Sequence, residues 1–314
     1  MAKFRSNRNM KRPPGRFFLI RLIGLSAVLI FLLFKILNVF KNYELSPNKP
    51  GSSISHPSSN AIADASLDWK TLGLPSIHGQ NTIVEHKYFI LSYSEPDEQA
   101  EWVAYVLSID HLNMKKLHRY NFFSPDDLLQ SGSSTYQDYK GSGFTRGHLA
   151  PASDMSFDSV ANRESFYMSN ISPQVAEFNG GIWRELEENV RDWARKYKKL
   201  FIVTGPVLQG APLQKIGKNQ VTVPALYYKV VLDQDDLKTA GIGFIIPNAL
   251  SDRPLSDYIF PIDSIENLTG INFFNSSVLH EDVESAEKSV NKLLWPIDAL
   301  RFIERVTIWN KNNH

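Results

Sequence analysis

At 314 residues and 43% hydrophobic content, the chain is long enough for one large or two modest globular domains with a proper core. It contains no cysteine, which excludes disulfides, thiolate metal sites and cysteine nucleophiles. The formal net charge of +1 hides an asymmetry: residues 1–41 carry nine basic residues and no acid, leaving 25 basic against 33 acidic residues beyond them, a net of −8. Polyanion binding by the main part of the chain must therefore rest on a local cluster of cations rather than on its overall field.

Residues 17–40, FFLIRLIGLSAVLIFLLFKILNVF, are apolar apart from Arg21, Ser26, Lys35 and Asn38, and about 20 helical residues cross a bilayer core. The two cations can snorkel from its ends. Six positive charges precede the segment, which under the positive-inside rule keeps the N-terminus cytoplasmic and carries the rest across. A cleaved signal peptide is the competing reading, but the apolar run is long for one. The nearest small-residue cleavage pattern, Ala61-Ile62-Ala63, also lies more than twenty residues beyond it. The expectation is a basic cytoplasmic tail over 1–16 and a transmembrane signal anchor over 17–40. The main domain is then extracytoplasmic, in a periplasm or, since an Arg-rich and acid-free N-terminus also suits a mitochondrial address, in a mitochondrial intermembrane space.

Residues 41–66 turn to Ser, Pro, Asn and Gly and hold too few large apolar side chains to pack, which predicts a flexible linker ahead of a folded domain over 67–314. In that domain KYFILSYS, EWVAYVLSI, KLFIVTGPVL, ALYYKVVLD and AGIGFIIPN read as strands closed by Gly, Pro, Asn or Asp. One long helix is expected over 179–199, where Trp183, Leu186, Val190, Trp193 and Tyr197 recur at spacings of three and four and give one buried stripe. Asn179 stands where its N-cap belongs. A shorter helix is expected over PIDSIENLTG, ending at Gly270.

The chemistry concentrates in the centre of the chain. In GFTRGHLAPA, His148 is a side chain that takes a proton near neutral pH. Arg146 lies two residues before it, so on an extended segment both point to one face, and a base beside a guanidinium suits a phosphate substrate. On the long helix Asn179, Trp183, Glu187 and Arg191 follow at intervals of four and form a slowly turning stripe. Each has a plain structural account, with Asn179 as a cap and Glu187 with Arg191 as an ion pair worth about 0.2–0.5 kcal/mol. The functional account needs a hard cation, since an amide oxygen and a carboxylate at a helix start can hold a magnesium ion that keeps most of its waters.

YKGSGFTRGHLAPASDM followed by FYMSNISPQVAEFNGGIWRELE resembles the DNA/RNA non-specific endonucleases, the ββα-metal group that includes the mitochondrial endonuclease G type and secreted bacterial nucleases. EWVAYVL upstream, and VTGP, VPALYYKVV, GFIIPN and IENLTGINFF downstream, extend the likeness over roughly residues 84–300 in that family's order. The resemblance implies an α+β fold in which a ββα-metal core accompanies a central, mostly antiparallel sheet flanked by helices. It makes His148 the general base and Asn179 the direct metal ligand. Glu187 would hold one of the waters of the metal, Asn170 would support the site, and Arg146, Arg191 and Arg119 would contact phosphate. It further implies magnesium, or manganese in its place, DNA and RNA as substrates without sequence preference, 5′-phosphate products, and subunits that can pair as homodimers. One departure stands out: the family's motif usually begins with Asp, where this chain has Thr145. Two other readings stay open on sequence grounds: a membrane-tethered nucleic-acid binder without turnover, and a phosphodiesterase for a different polymer or nucleotide.

Overall fold

The computed structural model describes Trp69 and residues 72–210, 213–235, 238–276 and 280–312. The tail, the expected membrane anchor and the linker lie outside the described residues. Among the described residues no helix is long and apolar enough to cross a membrane.

Among the described residues eleven strands form: β1 (Thr82–Glu85), β2 (Phe89–Ser94), β3 (Gln99–Ser108), β4 (Thr145–His148), β5 (Ile171–Gln174), β6 (Lys199–Pro206), β7 (Lys215–Ile216), β8 (Val221–Thr222), β9 (Leu226–Asp235), β10 (Lys238–Pro247) and β11 (Ile259–Phe260). Seven of them make one sheet in the order β1-β2-β3-β6-β9-β10-β11, while β4 pairs with β5 and β7 with β8 as separate ribbons. Every neighbouring pair in the large sheet is antiparallel, as the α+β expectation requires. All five apolar runs singled out in the sequence are strands of this sheet. Among the described residues the α-helices of five residues or more are α1 (Ile109–Asn113), α2 (Ser159–Glu164), α3 (Arg184–Tyr197), α4 (Ile262–Thr269), α5 (His280–Lys288) and α6 (Ala299–Glu304).

The sheet separates two apolar layers because side chains alternate across it. On one face Tyr227 and Val231 of β9 and Ile242, Phe244 and Ile246 of β10 pack with Trp183, Leu186, Val190 and Trp193. On the other, Tyr228, Val230 and Leu232 meet Ile262 and Ile265 of α4 and Val283 and Ala286 of α5. The predicted stripe of α3 is thus the face that seats it, with Tyr197 only partly buried at its end. Trp193 stacks on Phe244 at 6.0 Å and meets the edge of Trp295 at 5.2 Å. Leu186 is fully buried, so Leu186→Ala should cost about 2–5 kcal/mol of stability, the range for a leucine cavity that cannot collapse. A urea melt reads this. The shorter predicted helix is α4, closed by Gly270 at φ 71°.

Candidate active site

The chemistry-bearing segment folds as two short strands followed by a helix. β4 and β5 pair antiparallel, with Thr145 opposite Gln174, Arg146 opposite Pro173, Gly147 opposite Ser172 and His148 opposite Ile171. The chain then enters a π-helical turn, Phe178–Trp183, whose backbone leaves helical values at Gly181 (φ −105°, ψ −110°) before α3 begins. Gly147 leaves room for its neighbour: a Cβ there would lie 2.0 Å from the side-chain carboxamide of Gln174, which would have to shift.

Asn179 lies inside the π turn, and the helical backbone already starts at Glu177, so the expected cap is not what it forms. Its Nδ2 donates instead to Thr145 Oγ1 at 3.0 Å, and that hydroxyl donates to the backbone oxygen of Gln174 at 2.8 Å. The amide nitrogen is thereby taken, and among the described residues the amide oxygen accepts no hydrogen bond. Thr145, the position that departs from the family's usual residue, is therefore the group that orients Asn179.

His148 is 9% exposed, and its ring lies edge-on to Phe166 at 4.7 Å and 5.6 Å from Phe123. Its Nε2 is buried without a hydrogen-bond partner. Burial, then the charges of Arg119 and Arg146, push the imidazole down to about 3. It is a neutral base through the whole physiological range. Arg146 does share the face of His148, since its guanidinium lies 4.9 Å from the same Phe123 ring, with Tyr136 at 4.4 Å on another side. Arg119 lies over Phe166 at 5.0 Å and donates to Asn121 Oδ1 at 2.9 Å.

A second group sits along α3. Arg191 does not form the expected pair with Glu187; its Nη1 bonds Asp154 Oδ1 at 3.0 Å, and Tyr105 donates to the other oxygen of Asp154 at 3.1 Å. Glu187 accepts no hydrogen bond among the described residues. Burial raises its proton affinity, opposed by Arg191, Lys229 and Arg119. Arg119 acts electrostatically on both His148 and Glu187, which ties the strand group and the helix group into one site. An amide oxygen and a carboxylate, both without hydrogen bonds, are the oxygen donors a hard divalent cation takes. The residues present thus fit a hard divalent cation.

Asn170 has a different place. It is fully buried, its Oδ1 accepts from the backbone of Ala150 at 2.9 Å, and its Nδ2 donates to the carbonyls of Ala150 and Ser165 at 3.0 and 2.8 Å. With its amide used on backbone, it fastens the segment that follows His148 and does not face a substrate.

Sequence reasoning passed over Asp154 and Lys229. Lys229 is fully buried in β9, with Nζ unpartnered and 4.8 Å from the Trp183 ring. Burial lowers its pKa, against the opposing pull of Glu187 and Asp154. The signal was there: a lysine in the middle of an apolar strand, YYKVV, is desolvated at a cost unless something nearby needs its charge.

The chain matches the profile of the DNA/RNA non-specific endonuclease family over residues 73–278. It is 33% identical to the mitochondrial endonuclease G of Homo sapiens over 218 residues, 64% of this chain and 71% of that protein. To nuclease C1 of Cunninghamella echinulata var. echinulata it is 33% identical over 208 residues, 61% of this chain and 82% of that protein. Among solved structures, a crystal structure of the EndoG/EndoGI complex, concerned with the mechanism of EndoG inhibition, aligns with a TM-score of 0.61 at 28% identity over 66% of this chain and 91% of that one.

Proposed function

From the premise that the chain belongs to the DNA/RNA non-specific endonuclease family and is a hydrolase of nucleic-acid ester bonds, we propose that it cuts DNA and RNA with magnesium, leaving 5′-phosphates. The observation that carries this reading is His148, a buried neutral imidazole with an unpartnered Nε2, influenced by two guanidiniums. It takes the proton of the water that attacks phosphorus. Arg146 and Arg119, and the donors of Arg191 not spent on Asp154, offset the charge that grows on the phosphate in the transition state. Glu187 orients water beside Asn179. A magnesium ion held by Asn179, or manganese in its place, would supply Lewis acidity toward a phosphate oxygen and the departing 3′ oxygen.

These contacts reach phosphate and sugar, which carry no base identity, so cleavage shows only weak sequence preference. A binder without turnover would need the arginines but not His148 with its free Nε2, which favours the enzyme. The mitochondrial relatives favour the intermembrane space over a periplasm, with residues 17–40 as the anchor and 67–314 as the nuclease domain. Asn179→Ala should damage cleavage about as much as loss of the base and be partly rescued by high magnesium. Failure of rescue at any magnesium level, with the fold intact by circular dichroism, would count against the ligand role.

Thr145 gives a finer test. Threonine offers only a hydroxyl beside Asn179, whereas an aspartate could still accept from the Asn179 amide and would add negative charge, and hard cations gain affinity with site charge. Thr145→Asp is expected to lower the magnesium midpoint for cleavage. An unchanged midpoint in an active variant would show that residue 145 does not tune the metal.

A further inference from the structure

On the face of the sheet away from α3, three carboxylates converge between α4 and α5. One ligand oxygen from each of Asp263, Glu266 and Glu287 lies within 4.8 Å of the others. Glu287 belongs to the buried face of α5, with Val283 and Ala286, and is only 2% exposed. Its Oε1 is buried without a hydrogen-bond partner. The helices can settle this deep because β10 offers glycine: a Cβ at Gly241 would lie 2.7 Å from Ile262 Cδ1 and 3.0 Å from the carbonyl oxygen of Ala286.

Among the described residues no cation pairs with the three carboxylates. Glu266 accepts one hydrogen bond, from the backbone of Phe273 at 2.8 Å. Lys288, the cation next in the chain, reaches Glu284 at 3.6 Å, itself a fourth acid near the group. Burial first, then Glu266, Glu284 and Asp263, push Glu287 up to about 8. A buried carboxylate in such company either keeps a proton or meets a cation.

We propose that Asp263, Glu266 and Glu287 form a second, non-catalytic site for a hard divalent cation such as calcium, which fastens α4 to α5. All three donors are carboxylate oxygens, the ligands of hard cations. Calcium takes such oxygens at about 2.3–2.6 Å in flexible geometry, which suits a site assembled from three side chains on two helices. The remaining positions would be filled by water from the exposed side, where Asp263 and Glu266 are only half-buried. The site draws on neither His148 nor Asn179, so calcium there acts on stability and not on turnover.

The test is a thermal melt of the full chain carrying Asn179→Ala, titrated with calcium chloride so that the proposed catalytic metal site is impaired. Calcium at about a hundred times its Kd should raise the melting temperature by about 5–10 °C. Adding Glu287→Gln, which mimics the protonated acid, should abolish the rise. So should Asp263→Asn, at a half-buried position where folding is safe. With Asn179 restored, Glu287→Gln should cleave plasmid in magnesium at the parental rate. No rise in the parent, or a rise that survives both substitutions, overturns the site.

Discussion

His148→Ala is expected to lower cleavage of DNA and of RNA by about 10²–10⁴, the usual range for losing a positioned general base, while leaving the fold intact. The fold should survive because the ring packs against Phe166 and Phe123, and among the described residues Nε2 takes no hydrogen bond that the rest of the molecule depends on. The pH profile sharpens the test. Burial, Arg119 and Arg146 keep the imidazole neutral down to about 3, so the wild-type rate should show no acid limb from His148 near 6.5, where a free histidine titrates. The same shift has a sign in stability: the unfolded chain binds a proton at His148 between about 3 and 6.5 that the folded chain refuses, so this group destabilises the fold as pH falls through that window. His148→Ala should therefore lose less stability than wild type between neutral pH and pH 4. A variant that cleaves within a few-fold of wild type would remove His148 from the mechanism.

The largest expected effect on stability lies in the C-terminal segment. Arg305 is completely buried and donates from Nε to Glu185 Oε2 at 2.5 Å, with Glu185 equally buried. Its other nitrogens reach the carbonyls of Ser251 and, at 2.6 Å, Arg253. One side chain thus joins the start of α3, the loop after β10 and the C-terminal helical segment. Arg305→Met should cost about 3–5 kcal/mol, because breaking a buried pair leaves an uncompensated charge. Glu185 is already raised by burial and held back by Arg305 and Arg301. Without Arg305 it would be raised further, and a raised carboxyl loses stability as pH rises above its unfolded value, so the deficit should shrink toward pH 5. Adding Glu185→Leu should recover much of the loss by removing the stranded charge. A single variant as stable as wild type in a denaturant melt would show that the pair contributes nothing.

The large sheet and α3 were legible because their patterns are long: apolar runs of β2, β3, β6, β9 and β10, and a stripe from Trp183 to Tyr197 that repeats over four turns. The elements that hold the candidate site were not. β4 and β5 have four residues each, too few for a period to show, and β4 contains glycine while β5 contains proline. The contact between Thr145 and Asn179 joins residues 34 apart, and nothing local announces it. Asn179 had the composition of a cap and the neighbourhood of one, yet the π turn moved the helix start ahead of it. Arg191 had Glu187 at ion-pair spacing and chose Asp154, which only the fold brings near. Lys229 alone left a readable mark, a charge inside a strand, and its reason is visible only once β9 lies under α3.

The central claim is best tested by incubating supercoiled plasmid and single-stranded RNA with the chain in magnesium, in EDTA, and in EDTA followed by excess magnesium. Both polymers should be cut in magnesium, spared in EDTA and cut again on restoration, with ends that ligate without prior phosphorylation. Cleavage that continues undiminished in EDTA, or a chain that leaves both polymers whole in magnesium, would contradict it.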